Sequence, residues 1–299
     1  MNDRAITARV IYLGGLGRSG TTLLERLLGE LPGVVALGEV THLWERGVIS
    51  EELCGCGVAF PACAFWRQVG ERAFGGWTRP LAERVLELRR RVDRTRRIGR
   101  IAHPDLAEYA RIHRLLYDAV DAPVVIDSSK HASLACCLLA SGMDLRIIHV
   151  VRDPRAVAHS WGRTVRRPED GRPMTRWGPA RTAIHWTAQN AAIELLHGRG
   201  GRVIRIRYED LVAAPEDMLV ALARLLGLAE PERPFLDGRT AWLGPSHTAS
   251  GNPMRFHLGR VELRRDDSWV SGLPRRDRRV VDALTWPLRA RYGYRGAAA

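Results

Sequence analysis

The residues best suited to chemistry form a glycine-rich run, Leu13–Thr22 (LGGLGRSGTT), between two apolar segments. Arg9–Leu13 (RVIYL) predicts a buried strand, and Leu23–Leu31 (LLERLLGEL) predicts an amphipathic helix. A glycine-rich turn between a strand and a helix presents backbone N–H groups to an anion, which the helix dipole also stabilises. The run therefore predicts a phosphate-binding loop.

This loop departs from the usual nucleotide-binding form, in which a Lys follows the last glycine and a hydroxyl holds Mg²⁺. Gly15 and Gly20 have the usual spacing, but Thr21 takes the Lys position and Arg18 places the cation inside the loop. These residue types suit an anionic phospho-group and disfavour Mg·ATP. A glycine-rich turn that binds no ligand is the alternative at this point.

A second motif, IIHVVRDPRAVAHS, covers Ile147–Ser160. Its first half predicts a strand over Arg146–Val151, and Asp153-Pro154 predicts a strand-to-helix switch with Pro at the first helical position. Arg152 would lie at the carboxyl end of the strand, where open α/β sheets bind ligands. Ser160 would follow two helical turns later, and an Arg with a hydroxyl suits a phosphate monoester.

The two motifs, G-R-S-G-T-T at Gly17–Thr22 and V-R-D-P-R…S at Val151–Ser160, resemble in this order the sulfotransferases that use 3′-phosphoadenosine-5′-phosphosulfate (PAPS). The chain resembles the tyrosylprotein sulfotransferase branch. The resemblance implies transfer of the sulfuryl group of PAPS to an acceptor hydroxyl of a glycan, lipid, tyrosine or secondary metabolite. It also implies the PAPS-binding residues, which are Arg18, Ser19, Gly20, Thr21, Thr22, Arg152, Ser160 and Arg255. Arg255 belongs to a late loop that would close over the 3′-phosphate or adenine, and Arg265 is the alternative clamp there.

Lys130 is the only Lys among 46 Lys and Arg residues. It follows a predicted strand, Pro123–Asp127, and the pattern predicts a helix that starts near Lys130 and is capped by Ser128 or Ser129. A cation at a helix N-terminus is locally unfavourable, so a bound anion there would compensate. The resemblance implies that this Lys stabilises the leaving phosphate; an ordinary surface Lys is the alternative.

The candidate base is Glu39, just past a short predicted strand at Val34–Leu37. The resemblance implies this role for the Gly-Glu pair at this place. His42 and His131 are alternatives, because another branch of the superfamily uses a His, and Glu39 could also cap a helix.

The expected mechanism is in-line transfer, with Glu39 accepting the hydroxyl proton. Lys130, Arg18 and backbone N–H groups of Ser19–Thr22 would stabilise the leaving oxygen. Because fixed cations can neutralise it, no metal is expected.

The composition agrees with an enzyme that binds anions, since the formal net charge is +13 over 299 residues. A non-catalytic nucleic-acid-binding protein is an alternative that the charge alone suggests. We disfavour it because the Arg residues are dispersed and no zinc-finger spacing, basic-region helix or RNP-type aromatic motif occurs. The other alternative is a P-loop small-molecule kinase, which Thr21 disfavours. No nucleic-acid partner is therefore expected.

The predicted fold is α/β, a P-loop NTPase-like central parallel sheet with helices on both faces. We expect one domain over residues 1–299, with acceptor-side inserts at about 41–122 and 162–200. The first insert predicts helices at Leu81–Arg97 and Asp105–Val120, and Gly162–Arg181 predicts a loop or lid. Further on, Arg202–Tyr208 predicts a strand, the Arg207–Leu211 wording (RYEDL) is interpreted as structural, and Met218–Leu226 predicts a helix.

No segment predicts a membrane span or a signal peptide, so a cytoplasmic protein is expected. The oligomeric state is left open, with a homodimer among the alternatives. Cys54, Cys56 and Cys63 have spacing that could hold a metal, but no fourth ligand is evident. We favour structural or reduced thiols over a metal site, with a local disulfide as a further alternative. Cys136 and Cys137 lie in a predicted apolar helix, and we expect them in the core.

Overall fold

The computed structural model describes residues 9–98, 103–167, 171–198, 201–228 and 234–294. Five parallel strands form its central sheet in the order β2-β3-β1-β4-β5. These strands are β1 (Arg9–Gly14), β2 (Val34–Ala36), β3 (Val124–Lys130), β4 (Leu145–Val151) and β5 (Arg202–Arg207). A small antiparallel sheet contains β6 (Leu236–Asp237), β7 (Thr240–Leu243) and β8 (Gly259–Glu262).

Helices connect the strands, as parallel pairing requires. In chain order they are α1 (Thr21–Gly29), α2 (Val40–His42), α3 (Ala64–Phe74), α4 (Arg79–Val92), α5 (Leu106–Asp118), α6 (Ala132–Ala140), α7 (Pro154–Gly162), α8 (Pro179–Gly198), α9 (Tyr208–Ala213), α10 (Pro215–Leu226), α11 (Trp269–Gly272) and α12 (Arg275–Arg291). A π-helical segment, Leu43–Ile49, and short 3₁₀ turns at Phe60–Ala62, Thr95–Arg97 and Pro253–Phe256 complete the regular structure.

Alternation along β1 shows why helices cover both faces of the sheet. Val10 and Tyr12 are buried in a core that contains side chains of α4, α5 and α6. Ile11 and Leu13 point to the opposite face and are buried with leucines of α1 and α10. Both faces of the strand are thus apolar and covered, which confirms the predicted α/β class.

The first insert contains both predicted helices, as α4 and α5, although each ends earlier than the pattern indicated. In the second insert, residues 163–167 and 171–178 are irregular apart from one bridge between Arg166 and Pro173. The rest of the predicted loop, residues 168–170, lies outside the described residues. Among the helices that the structure describes, none combines the length and apolar character needed to cross a membrane.

A helix does begin near Lys130, as α6 at Ala132, but the expectation that Lys130 lies in its first turn was wrong. Strand β3 continues to Lys130, whose neighbour in the register is Gly14 of β1, and α6 begins at Ala132 after His131. Neither serine caps the helix, because Ser129 hydrogen-bonds Asp127 and Ser128 hydrogen-bonds Glu25. Pairing with β1 outweighs the local helix signal, so Lys130 is a strand-end residue.

Candidate active site

The glycine-rich loop leaves no room for side chains at two of its glycines. Gly15 has a φ of 143°, and a Cβ there would lie 2.4 Å from the carbonyl oxygen of Val150 on β4. Gly20 has a φ of 93°, and a Cβ there would lie 2.3 Å from the ring of Tyr208. Glycine is therefore required for the loop to pass so close to β4 and α9.

The loop presents polar groups that the fold does not use. The Ser19 hydroxyl is buried and has no hydrogen-bond partner within the described part of the chain. Thr21 and Thr22 lie in the first turn of α1, where backbone N–H groups have no intrahelical acceptor. Unused donors and a hydroxyl at a helix N-terminus are suited to a phosphate or sulfate group.

Arg18 adopts the left-handed conformation, with a φ of 73°, and its guanidinium is held by the segment around α7. The guanidinium lies 5.6 Å from the centre of the Trp161 ring and 3.6 Å from the Met174 sulfur. Trp161 also donates from Nε1 to the Gly17 carbonyl at 2.9 Å. Burial lowers the pKa of Arg18 from its usual value. The segment of the predicted lid therefore packs directly on the loop.

Lys130 and Glu39 form a direct ion pair, in which Lys130 Nζ donates to Glu39 Oε1. Both side chains are largely buried, at 12% and 16% exposed. Burial alone would raise the pKa of Glu39, but the charge of Lys130, with a smaller contribution from His42 in its protonated form, outweighs burial and lowers that pKa to about 2. The carboxylate is therefore ionised and stabilised as an anion.

The backbone of Lys130 is fixed from two sides. Its carbonyl accepts hydrogen bonds from the Gly15 N–H at 3.3 Å and from Gln189 Nε2 at 2.6 Å. Its φ is 70°, a conformation that non-glycine residues rarely adopt. The fold thus stabilises a strained residue at the point where β3 meets the loop, which is typical of functional sites.

Glu25 is a buried carboxyl that the sequence analysis missed. It lies on α1, where its Oε1 accepts the Gly38 N–H at 2.8 Å and its Oε2 accepts the Ser128 hydroxyl at 2.8 Å. Burial raises its pKa to about 7. Glu25 ties the turn before Glu39 to the strand that carries Lys130. The available signal was a charged residue among the leucines of the helix that follows the loop.

The two alternative bases lie beside Glu39. His42 Nε2 is 3.7 Å from Glu39 Oε2, and the rings of His42 and His131 are 6.2 Å apart edge to face. Burial lowers the pKa of His42 to about 3 and also lowers that of His131. Both imidazoles are therefore neutral near pH 7. A cavity of about 480 Å³ opens beside His131, lined by residues of α4 and by residues 93–95 that follow it, together with Glu45 and Ser133.

Arg152 connects the loop to the late part of the chain. It donates to the Arg18 carbonyl at 3.1 Å and to Asp266 Oδ2 at 3.2 Å, and it stacks over the Tyr208 ring at 4.5 Å. Ser160 lies in α7, the helix that starts beside Arg152, and is half-buried. The sequence analysis missed Asp266 and Tyr208 as neighbours of Arg152, although Asp266 follows Arg265 and Tyr208 lies in the RYEDL segment.

The RYEDL segment does more than pack in the core. Tyr208 contacts Gly20 and Arg152, and Glu209 accepts the Asp153 N–H at 3.1 Å. These contacts hold the start of α7 and the phosphate-binding loop against the end of β5. The interpretation of this segment as structural is therefore correct, and the elements that it holds in place are those of the candidate site.

Arg255 lies in a different environment from Arg152. It is 2% exposed, and its guanidinium donates to the carbonyls of Leu53 at 2.8 Å and Thr248 at 3.0 Å. Arg265 pairs with Asp267 at 2.7 Å on the surface. The bonds of Arg255 to main-chain oxygens favour a structural role, and its part in phosphate binding stays a prediction.

The strand order explains why these residues meet. Read across the sheet, the carboxyl ends of the strands carry Glu39 after β2, Lys130 on β3, the loop after β1, Arg152 after β4 and Tyr208 after β5. Carboxyl ends of parallel strands share one edge, and such edges bind ligands where the strand order reverses. Here the loop lies at the centre strand, between the Glu39–Lys130 pair and Arg152.

Comparisons with known proteins agree with this arrangement. The model of the sulfotransferase family matches residues 84–232, which include Lys130, Arg152 and Ser160 but neither Glu39 nor the glycine-rich loop. No curated protein matches the chain. A solved sulfotransferase domain of the olefin synthase from Synechococcus PCC 7002 is 20% identical, with a TM-score of 0.52 and 94% of each chain covered. At this identity the likeness is evidence of a shared fold.

A sulfotransferase domain from the curacin biosynthetic pathway is 17% identical, with a TM-score of 0.47, 93% of this chain and 97% of that chain covered. The family match covers the strands and helices that carry half of the candidate site, and the fold is that of a solved sulfotransferase domain. The chain therefore belongs to the sulfotransferase family, and its reaction is the transfer of a sulfuryl group.

Proposed function

We propose that the sulfuryl donor is PAPS and that the acceptor is a hydroxyl compound. The observation that carries this proposal is the row of groups at one sheet edge, with the Lys130–Glu39 pair on one side of the glycine-rich loop and Arg152 on the other. A donor with two separate anionic groups needs two cationic positions, and this edge supplies them. Thr21 in the usual Lys position agrees with a donor that is not Mg·ATP.

Each part of the edge has a role in this proposal. The N–H groups of the loop and of the first turn of α1, with the Ser19 and Thr22 hydroxyls, hold the 5′-phosphosulfate. Arg152 and Ser160 hold the 3′-phosphate. Asp266 now takes one bond of Arg152, so donor binding exchanges that carboxylate for phosphate.

In the proposed reaction Glu39 acts on the acceptor hydroxyl and Lys130 acts on the leaving group. Glu39 accepts the proton of the acceptor hydroxyl while the acceptor oxygen forms its bond to sulfur. The bond between sulfur and the phosphate oxygen breaks, and adenosine 3′,5′-bisphosphate leaves. Lys130 and Arg18 neutralise the charge that develops on the leaving oxygen.

Donor binding also changes Glu39. In the free protein Lys130 keeps the pKa of Glu39 near 2, which makes it a weak base. Phosphosulfate draws Lys130 away, so burial then raises the pKa of Glu39 and strengthens it as a proton acceptor. The acceptor itself lies on the Glu39 side, near the insert helices. Its chemical class, the cytoplasmic location and the oligomeric state stay predictions.

The test of the proposed donor is calorimetry with adenosine 3′,5′-bisphosphate, with and without EDTA. We expect binding that is unchanged by EDTA, because fixed cations and N–H groups take the place of Mg²⁺. Binding of Mg·ATP without binding of the bisphosphate would contradict the proposal and support the kinase alternative.

Arg152→Ala should weaken binding of the bisphosphate by about 10- to 150-fold, which corresponds to about 1.5–3 kcal/mol for hydrogen bonds to a charged group. Adenosine 5′-phosphosulfate, which lacks the 3′-phosphate, should lose much less affinity. Isothermal titration of both ligands measures the difference, with Arg202→Ala as the matched control at an exposed position at the amino end of β5, away from the candidate site. An equal loss for both ligands would show that Arg152 acts through the loop structure alone.

A further inference from the structure

Four potential metal ligands converge outside the candidate active site. They are Cys54, Cys56, Cys63 and His247, and their ligand atoms all lie within 4.8 Å of one another. The sulfur of Cys63 is 3.7 Å from that of Cys54 and 3.8 Å from that of Cys56. Nδ1 of His247 is 3.4 Å from the Cys63 sulfur and 3.8 Å from the Cys54 sulfur.

These separations are those of ligands around one tetrahedral ion. With Zn–S bonds of about 2.3 Å, tetrahedral angles place two sulfurs about 3.8 Å apart. With a Zn–N bond of about 2.0–2.1 Å, sulfur and nitrogen lie about 3.5 Å apart. A disulfide needs about 2.05 Å between sulfurs, and all five cysteines are free thiols here. The local disulfide alternative therefore does not describe this structure.

The chain builds three of the ligands into one compact unit. The Gly57 N–H bonds to the Cys54 carbonyl and the Cys54 N–H bonds to the Val58 carbonyl, both at 2.8 Å, which closes a tight turn. Gly57 has a φ of 84°, as this turn requires. The Cys63 N–H bonds back to the Ala59 carbonyl at 3.1 Å.

The fourth ligand comes from a remote segment, 184 residues from Cys63 in the sequence. The His247 ring is stacked on Phe65, with the centroids 4.9 Å apart and the planes 13° apart, so Nδ1 faces the thiols. The next residue, Thr248, accepts the Gly55 N–H at 3.0 Å. Two independent contacts therefore bring this segment to the cysteine turn.

We propose that Cys54, Cys56, Cys63 and His247 bind one Zn²⁺ ion in a closed, structural site. Three thiolates and one imidazole are a ligand set typical of structural zinc, and four protein ligands leave no open position for catalysis. This replaces the preference for metal-free thiols, which depended on finding no fourth ligand near the cysteines in the sequence.

The site also has a consequence for the candidate base. The segment that carries His247 continues as a partner of the turn around Glu39. Ala249 donates to the Leu37 carbonyl at 2.9 Å, and the Glu39 N–H bonds to the Ser250 carbonyl at 3.4 Å. Zinc would therefore fasten the first insert to the backbone that supports Glu39, on the acceptor side.

The first test is the zinc content of protein purified without a histidine tag, measured by mass spectrometry of the metal. We expect about one zinc per chain, because the site has a full set of four ligands. His247→Ala and Cys56→Ser should lower the zinc content severalfold, since each removes one ligand. Cys136→Ser is the matched control, because it removes a buried thiol from α6, and it should keep the wild-type content.

A second measurement uses only the wild-type chain, in case the variants fail to fold. Titration with a mercurial that blocks thiols should release zinc to a chromogenic chelator as the cluster thiols react. Protein that refolds with Co²⁺ should show the strong visible absorption of a tetrahedral thiolate complex. Folded wild-type protein that lacks zinc and does not take up Co²⁺ would overturn the proposal, as would a native Cys56–Cys63 disulfide detected by mass.

Discussion

Glu39→Gln is expected to lower the turnover number by roughly 10²–10⁴-fold, the usual contribution of a general base. The amide keeps the shape of the side chain but cannot accept the hydroxyl proton. Binding of adenosine 3′,5′-bisphosphate should be unchanged or tighter, because Lys130 no longer has a carboxylate partner that competes with phosphate. A loss of turnover without loss of donor binding is thus the expected signature.

The measurement is the initial rate with PAPS and any acceptor that the wild-type chain accepts, beside calorimetry with the bisphosphate. Glu45→Gln is the matched control, because Glu45 is exposed one helical turn beyond His42. If Glu39→Gln turned over at the wild-type rate, the base would lie elsewhere. His42 would then be the next residue to replace, since it is the imidazole that contacts the carboxylate.

Lys130→Ala is expected to lower turnover by about 10²–10³-fold, the range measured when one stabilising donor is removed from a developing oxyanion. The pH dependence provides a second readout. Lys130 is the main cause that lowers the pKa of Glu39 to about 2, and burial acts in the opposite direction. Without Lys130 the pKa of Glu39 rises, so the acidic limb of kcat/KM should move to higher pH.

A rate series over phenols of different pKa distinguishes the two variants. A more acidic acceptor hydroxyl needs less help from a base, so it should rescue Glu39→Gln more than Lys130→Ala. Lys130→Arg is the control that keeps the charge, and it should retain part of the rate. An acidic limb that stays where it is in Lys130→Ala would mean that the two groups are not coupled in the working enzyme.

Local signals were sufficient for much of the central fold. The apolar runs that became β1 and β4, the glycines between β1 and α1, and Asp153-Pro154 at the start of α7 all act within a few residues. The backbone preferences of single residues, such as positive φ at glycine and the fixed φ of proline, decide where the loop turns and where α7 begins. For that reason the α/β class and the position of the loop could be predicted.

The environment of Lys130 needed the tertiary structure. Its neighbours in the sequence favour a helix start, yet β3 extends because Lys130 pairs beside Gly14 and its carbonyl accepts two hydrogen bonds from distant residues. Its bond to Glu39 joins positions 91 residues apart. A local sequence pattern carries no information about contacts with distant residues. The wrong placement of Lys130 in a helix followed from using local patterns alone.

By itself, the sequence determined which residue types were available: a glycine-rich loop with an internal Arg, one Lys, a Gly-Glu pair, and three close cysteines. The tertiary structure decided their partners. It buried Glu25 against Gly38 and Ser128, set Asp266 against Arg152, and brought His247 to the cysteines. Each of these contacts joins separate elements, and packing selects them because buried polar groups must find partners wherever the fold places them.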